Sequence, residues 1–333
     1  MNLKSKTICI TGIGGFIGRR VAQLARERGM IVRGLDADPK RTRDAQNEGA
    51  TVIVGDLMDR AVLAQALSGA DVVLHTAAIV REDGKLEDFR RVNVEGTRLV
   101  AELAARAGAR GMAHLSSVMV YGFRFDADVT EDGPYRGEKN PYCITKIESE
   151  AAALEYNTDP AKFGVVIIRP GDVYGPGSEP WVVRPLELMR KGLFALVDGG
   201  RPIINHVYVD TLAEGIFLAF EKEAWGEAFN FTDGMRTSFK EFYTRLARIA
   251  GLRPPRVLPA WLVKLSVRFV NVIETILRRP HIALPGGVEF IRRPHAYSIE
   301  KAQRMLGYLP DVSLDEGLAR TERWLRENGL INK

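Results

Sequence analysis

The chain of 333 residues predicts an α/β protein: a doubly wound parallel sheet with a smaller, mainly helical C-terminal lobe. Three observations predict it. Short apolar runs alternate with helical patterns through the first half. A glycine-spaced turn joins the first run to the first helical pattern. Beyond residue 170 proline and glycine thicken and helical patterns dominate.

The elements follow in chain order. Residues 7–11 read Thr-Ile-Cys-Ile-Thr, a β-branched run without polar alternation, as a strand buried on both faces requires. Further runs of this kind lie at 31–35, 51–54, 72–75, 112–116 and 165–169. Helical patterns fall at 16–28, 60–67, 86–107 and 143–156. Strand, helix and strand in this rhythm imply right-handed crossovers with helices on both faces. Helical patterns continue at 181–191, 210–222, 238–250, 258–279, 298–306 and 313–328, and the run 228–231 reads as a late strand. The expected division is a dinucleotide-binding domain over 1–170, rejoined by a segment near 203–232, and a substrate-binding lobe over most of 171–333.

Composition narrows the class. Apolar residues make up 46% and charged residues 27%, which excludes disorder and collagen. The net charge of +5 is spread along the chain with no run of five like charges, so nucleic-acid binding is not indicated. Two cysteines, Cys9 and Cys143, give no disulfide scaffold and point to a reducing, cytoplasmic setting. With five scattered histidines they make no metal site. The N-terminus runs straight into a strand and lacks a signal-peptide pattern, and no uncharged apolar stretch is long enough to span a bilayer.

Residues 11–18 read Thr-Gly-Ile-Gly-Gly-Phe-Ile-Gly. Gly12, Gly15 and Gly18 stand three apart between strand and helix. The first permits a tight turn, the second lets backbone N–H groups approach a pyrophosphate, and the third allows close helix packing. Gly14, Phe16 and Ile17 complete this Rossmann-type turn. Asp36 ends the second strand, where a carboxylate accepts hydrogen bonds from both adenosine ribose hydroxyls and repels a 2′-phosphate. That favours NAD over NADP, with Arg33 and Arg41 close enough to weaken the preference. Asp56 and Leu57 follow the third strand, where Asp56 can reach an adenine amino group. Thr76, Ala77 and Ala78 end the fourth with small side chains that let a dinucleotide cross.

On these residues the chain resembles the extended short-chain dehydrogenase/reductase group over essentially its whole length. The other matching pieces are Gly55-Asp-Leu57, His75-Thr-Ala-Ala78, Asn93-Val-Glu-Gly-Thr97, Leu115-Ser-Ser-Val-Met-Val-Tyr-Gly122, Tyr142-x-x-x-Lys146, Arg169-Pro-Gly171 and His206-Val-Tyr-Val-Asp210. Within the group the likeness is to 3-beta-hydroxysteroid dehydrogenase-like proteins, with nucleotide-sugar epimerases as the neighbouring branch. In dehydratases of that branch the positions after the catalytic hydroxyl tend to be Asp-Glu. Here they are Val118 and Met119, so water elimination from a hexose is not implied.

Three Tyr-x-x-x-Lys pairs occur: Tyr135/Lys139, Tyr142/Lys146 and Tyr297/Lys301. Only Tyr142/Lys146 follows the fifth strand and opens a strong helix former, where residues four apart share a face. Hydride transfer to a ketone needs a proton donor at the forming alkoxide, and the reverse needs a base. A free phenol titrates near ~10, so a neighbouring ammonium is the natural way to lower it. The resemblance implies Tyr142 as acid/base, Lys146 as its tuning group and ribose ligand, and Ser117 rather than Ser116 as the polarising hydroxyl. Asn93 either caps a helix or, by the resemblance, supports the active-site helices. Arg169, Pro170 and Val173 are expected beside the nicotinamide.

The segment 260–277 carries an apolar helical stripe: Trp261, Leu262, Leu265, Phe269, Val272, Ile273 and Ile276. It reads as a lobe helix packed on its own core, as a lid over a greasy substrate, or as a peripheral membrane contact. Arg184, Arg201, Arg292 and Arg293 are either surface charge or partners for a substrate anion. The expectation is an NAD(P)-dependent oxidoreductase acting between a secondary alcohol and a ketone on a bulky, largely apolar small molecule, sterol- or beta-keto-acid-like. The alternatives are an NAD-dependent nucleotide-sugar epimerase and a non-catalytic dinucleotide sensor. The resemblance further implies a homodimer through helices 86–107 and 143–156.

Overall fold

Thr7–Thr11 forms the central strand, β1, and its residues alternate between two hydrophobic cores. Ile8 and Ile10 enter one core, Cys9 the other, and all three are fully buried. A strand covered on both faces cannot afford polar alternation, which is why the run is continuous. The computed structural model describes residues 1–81, 84–123, 125, 128–138, 140–259, 261–263, 265 and 291–332.

From β1 the chain passes through α1 (Phe16–Glu27), β2 (Ile31–Asp36), α2 (Pro39–Asn47), β3 (Thr51–Val54), α3 (Arg60–Leu67) and β4 (Val72–His75). Helix α2 has no counterpart among the sequence expectations. It is polar nearly throughout and buries only Thr42 and Ala45. Its start is set by Asp38, whose side chain accepts from the N–H groups of Lys40 and Arg41, and by Pro39 in the first turn.

The helix expected at 86–107 is α4 (Leu86–Phe89), a π-helical stretch at Arg90–Glu95, and α5 (Gly96–Arg106). Then come β5 (Gly111–Leu115), α6 (Pro141–Leu154), β6 (Gly164–Pro170) and β7 (Asp172–Tyr174). Helix α6 begins two residues before the expected 143. Asn140 caps it by accepting from the N–H groups of Tyr142 and Cys143, and Pro141 suits the first turn. Tyr142 is therefore inside the helix.

The later part holds α7 (Arg184–Arg190), β8 (Ala195–Leu196), β9 (Ile203–Ile204), β10 (His206–Tyr208), α8 (Val209–Glu221), β11 (Ala228–Phe231), β12 (Thr237–Ser238), α9 (Phe239–Ile249) and β13 (Arg256–Val257). Two further helices span Glu300–Leu306 and Leu314–Glu327. Trp261 and Leu265 are exposed. Phe269, Val272, Ile273 and Ile276, which carried the rest of the stripe, lie outside the described residues.

The main sheet has seven strands in the order β11-β6-β5-β4-β1-β2-β3. Every neighbouring pair is parallel. Strand order reverses between β1 and β4, so a crevice opens there beyond the carboxyl ends of the strands. Strand β11 pairs with β6, Ala228 opposite Ile167 and Phe231 opposite Pro170. Among the described residues no helix is long and apolar enough to cross a membrane.

Candidate active site

A long cleft runs along the crevice, and its first end is the glycine turn. Gly12 sits at φ +74°, and a Cβ there would lie 2.8 Å from Thr76 Oγ1 and 2.9 Å from Ala77 N. A Cβ on Gly18 would lie 2.4 Å from the carbonyl oxygen of Gly12. Only glycine lets α1 approach the turn this closely. Gly15 caps α1, so the first N–H groups of that helix open into the cleft. Gly18→Ala is expected to destabilise the fold by about 1–3 kcal/mol through overpacking, with weakened NADH binding. Thermal denaturation and a binding titration check both.

Asp36 stands at the end of β2. Its Oδ2 accepts from Gly14 N at 3.0 Å and its Oδ1 from Asp38 N at 3.0 Å. These bonds aim the carboxylate at the turn and leave lone pairs on both oxygens. Arg41 lies beside Gly14 and pairs with Asp38 at 3.4 Å. Asp56 accepts from Met58 N, and Thr76 donates to the carbonyl of Thr11. Gly12, Gly14, Gly15, Phe16, Ile17, Gly18, Asp36, Asp56, Leu57, Thr76, Ala77 and Ala78 all line the cleft. The glycine cradle and the acid at the second strand fit a dinucleotide.

At the other end Ser117, Tyr142 and Lys146 line the same cleft. The Ser117 hydroxyl is the polar neighbour that favours the ionised form of the Tyr142 phenol. Strand β5 stops at Leu115, one residue short of the expected end, and Ser117 lies beyond it. It caps a 3₁₀ turn at Val118–Tyr121, accepting from Met119 N. Ser116 donates instead to Glu150 Oε1 at 2.5 Å. That bond distinguishes Ser116 from Ser117.

Lys146 is buried, and its Nζ donates to the carbonyl of Leu115 at 2.6 Å, 5.9 Å from the centre of the Tyr142 ring. Burial lowers its pKa to about 8 against the opposing pull of Glu150. Burial also raises the pKa of the Tyr142 hydroxyl, with the neighbouring Ser117 hydroxyl opposing it. The phenol of the free protein is thus a proton donor at neutral pH.

Behind Lys146 lie two stacked imidazoles, His75 and His114, with ring centres 5.4 Å apart. Burial and the Lys146 charge bring His75 to about 3 and push His114 down in the same direction, so both rings are neutral. His75 is held between Thr11 and Thr97 at 2.6 and 2.9 Å, and His114 meets Ser149 at 2.9 Å.

Two expected site residues stand outside the cleft. Asn93 accepts from Ile79 N at 2.7 Å and donates to Ile79 O at 3.1 Å and Thr145 Oγ1 at 3.2 Å. It ties the π-helical stretch to α6 and to the cleft wall, so its contacts are those of a support. Arg169 is 1% exposed and makes a bidentate pair with Glu150. Its Nη1 donates to the Tyr121 hydroxyl and to Glu131 O. These partners hold the guanidinium outside the cleft, whereas its neighbours Pro170 and Val173 line it.

The competing Tyr–Lys pairs are placed elsewhere. Tyr297 is buried against Tyr121, and Lys301 pairs with Glu227. Tyr135 accepts from Arg169, and Lys139 lies outside the described residues. Of the four arginines, Arg184 lines the cleft. Arg201 bonds to the carbonyl of Asp198, Arg292 pairs with Asp198 and the buried Arg293 with Asp172. Sequence reasoning did not find Glu150, Thr145 or the far wall, where Trp324 of the last helix faces the cleft with Phe16. No local pattern marks them.

A glycine turn at the switch point of a parallel sheet, leading along one cleft to a helix-borne tyrosine and lysine, defines a dinucleotide-dependent oxidoreductase of the extended short-chain dehydrogenase/reductase type. Residues 8–231 match the NAD dependent epimerase/dehydratase family, and the chain belongs to it. It is 32% identical to 2-alkyl-3-oxoalkanoate reductase of Stenotrophomonas maltophilia (strain K279a), over 94% of this chain and 97% of that protein. It is 29% identical to the decarboxylating sterol-4-alpha-carboxylate 3-dehydrogenase of Mus musculus, over 96% and 90%. Among solved structures, UDP-glucose 4-epimerase of Thermotoga maritima with UDP-glucose superimposes with a TM-score of 0.79 at 23% identity, over 97% of this chain and 99% of that one. That likeness is one of fold.

Proposed function

We propose that this enzyme interconverts a secondary alcohol and a ketone on a bulky, largely apolar substrate, sterol-like or beta-keto-acid-like, with NAD. The observation that carries the reading is the meeting of Ser117, Tyr142 and Lys146 in one cleft, with the tyrosine and lysine one helical turn apart on α6. In the reducing direction the Ser117 hydroxyl donates to the substrate carbonyl oxygen and Tyr142 gives that oxygen its proton. Bound NADH supplies the hydride. In the oxidising direction Tyr142 takes the alcohol proton, and the cationic Lys146 favours the phenolate this requires. Lys146 also holds the nicotinamide ribose hydroxyls, and Asp36 those of the adenosine ribose.

The substrate class rests on the walls near Tyr142. Val118 and Met119 follow Ser117 directly, and Val80, Phe123, Trp181 and Val183 also line the cleft. Val118 and Met119 stand where a dehydratase would carry acids. The similar curated relatives named above take an oxoalkanoate and a sterol carboxylate as substrates, by their names.

The test is a panel of a 3-hydroxysteroid, a long-chain beta-keto acid and UDP-glucose, each run with NAD(H) and NADP(H) and followed by the absorbance of reduced nicotinamide. Net nicotinamide turnover on the steroid or keto acid is expected, with NAD(H) preferred because Asp36 repels a 2′-phosphate. Conversion of UDP-glucose to its epimer without net nicotinamide change would establish the epimerase reading instead. A preference for NADP(H) would remove the role given to Asp36.

A further inference from the structure

The last helix, Leu314–Glu327, carries two faces with the same spacing. Leu314, Leu318, Thr321 and Leu325 are buried. Arg320, Arg323, Trp324 and Glu327 stand three or four residues apart, share the other face, and all line the cleft. A Cβ on Gly177, in the loop after β7, would lie 3.7 Å from Phe16 Cδ2 and 4.0 Å from Trp324 Cζ2. The indole therefore reaches the same loop position as the first side chain of α1, the helix whose leading N–H groups open into the cleft. An ion cluster fixes the helix there. Arg20 of α1 pairs with Asp210 of α8 at 2.6 and 2.9 Å, and Arg320 reaches the same carboxylate at 3.6 Å. Trp324 lies one turn beyond Arg320.

We propose that the last helix is part of the dinucleotide site: Arg323 supplies a positive charge to the cofactor pyrophosphate, and Trp324 walls that end of the cleft. The inference rests on the dinucleotide reading of the cleft given above.

The charge balance of the cleft supports it. A pyrophosphate carries negative charge on each phosphate, and residues 11–18 hold no basic side chain. The start of α1 offers N–H groups and a partial charge only. Five arginines line the cleft from α1, α2 and the last helix: Arg19, Arg20, Arg41, Arg320 and Arg323. Arg19 pairs with Asp44 and Glu48, Arg20 with Asp210, Arg41 with Asp38 and Arg320 with Glu316. Arg323 is exposed, and among the described residues its side chain has no ion pair or hydrogen bond. Glu327, four residues on, lines the cleft without pairing with it. A guanidinium free of carboxylates, on a helix face already turned to the glycine-turn end, is suited to a phosphate.

The test is affinity for NADH and for ADP-ribose, which keeps the pyrophosphate and lacks the nicotinamide, measured by calorimetry on the full chain. Arg323→Met is expected to weaken both about tenfold, the loss of one charged hydrogen bond. Its melting temperature is expected to stay unchanged, because the side chain is exposed. Arg323→Lys keeps the charge and is expected to keep most of the affinity. Arg326→Met removes the same charge from the same helix but outside the cleft, where Arg326 pairs with Glu322, and is expected to bind as the unsubstituted protein does. Trp324→Ala, read well below its melting temperature, is expected to release NADH several-fold faster in stopped flow. Unchanged affinity in Arg323→Met, an equal loss in Arg326→Met, or a loss confined to NADH overturns the role of Arg323, and an unchanged release rate overturns that of Trp324. Failure of the dinucleotide reading is seen separately, as absence of NADH binding by the unsubstituted protein, and takes this proposal with it.

Discussion

Tyr142→Phe is expected to lower turnover about 10²–10⁴-fold while NADH still binds. The substitution removes one oxygen and keeps the ring. The helix start does not depend on that oxygen, because Asn140 caps α6 through backbone N–H groups. The lost atom is the phenol oxygen, on the wall of the cleft that Ser117 and Lys146 also line. The hydroxyl of Ser117 is a far weaker acid than a phenol and does not replace it. Ser117→Ala removes the partner and leaves the donor, so a smaller loss is expected there. Steady-state kinetics with a substrate from the panel, together with NADH titration, separates turnover from binding. Turnover within a few-fold of the unsubstituted enzyme would exclude the phenol as the acid.

Arg169→Met is expected to destabilise the protein by about 3–5 kcal/mol, the range for breaking one half of a buried ion pair. The guanidinium is 2% exposed in its side chain and Glu150 5%. Removing it leaves a carboxylate inside the protein with Ser116 as its remaining hydrogen-bond donor, and it also strips the donors from Tyr121 and Glu131 O. Replacing both members of the pair by groups of similar volume removes the uncompensated charge, so the double variant is expected to regain most of the loss. Chemical denaturation measures both. A single-variant loss below about 1 kcal/mol, the level of an exposed pair, would show that the site admits water.

The two variants illustrate how differently the site residues can be read. Tyr142 and Lys146 announce themselves locally. Their spacing is one helical turn, and Pro141 with the run 147–154 makes the helix legible. The glycines are legible for the same reason: Gly12, Gly15 and Gly18 act on atoms at most a few residues away, apart from the strand end at Thr76 and Ala77. Asp36 follows from its place at the end of a strand. Arg169 was legible as part of Arg-Pro-Gly but not in its direction. Its neighbour Pro170 faces the cleft, and its own side chain turns to Glu150 on α6.

The sequence by itself determined the alternation of strand and helix, the parallel sheet, the dinucleotide turn and the tyrosine–lysine pair. Each depends on periodicity or on contacts within a turn, and such information lies in consecutive residues. Only the tertiary structure decided that Ser116 bonds to Glu150, where Arg169 and Arg293 find their carboxylates, and that Trp324 lines the cleft together with Phe16. Those outcomes are set by which side chains meet across elements far apart in the chain. A buried charge settles beside whatever opposite charge the packing brings to it, and no spacing along the chain encodes that meeting.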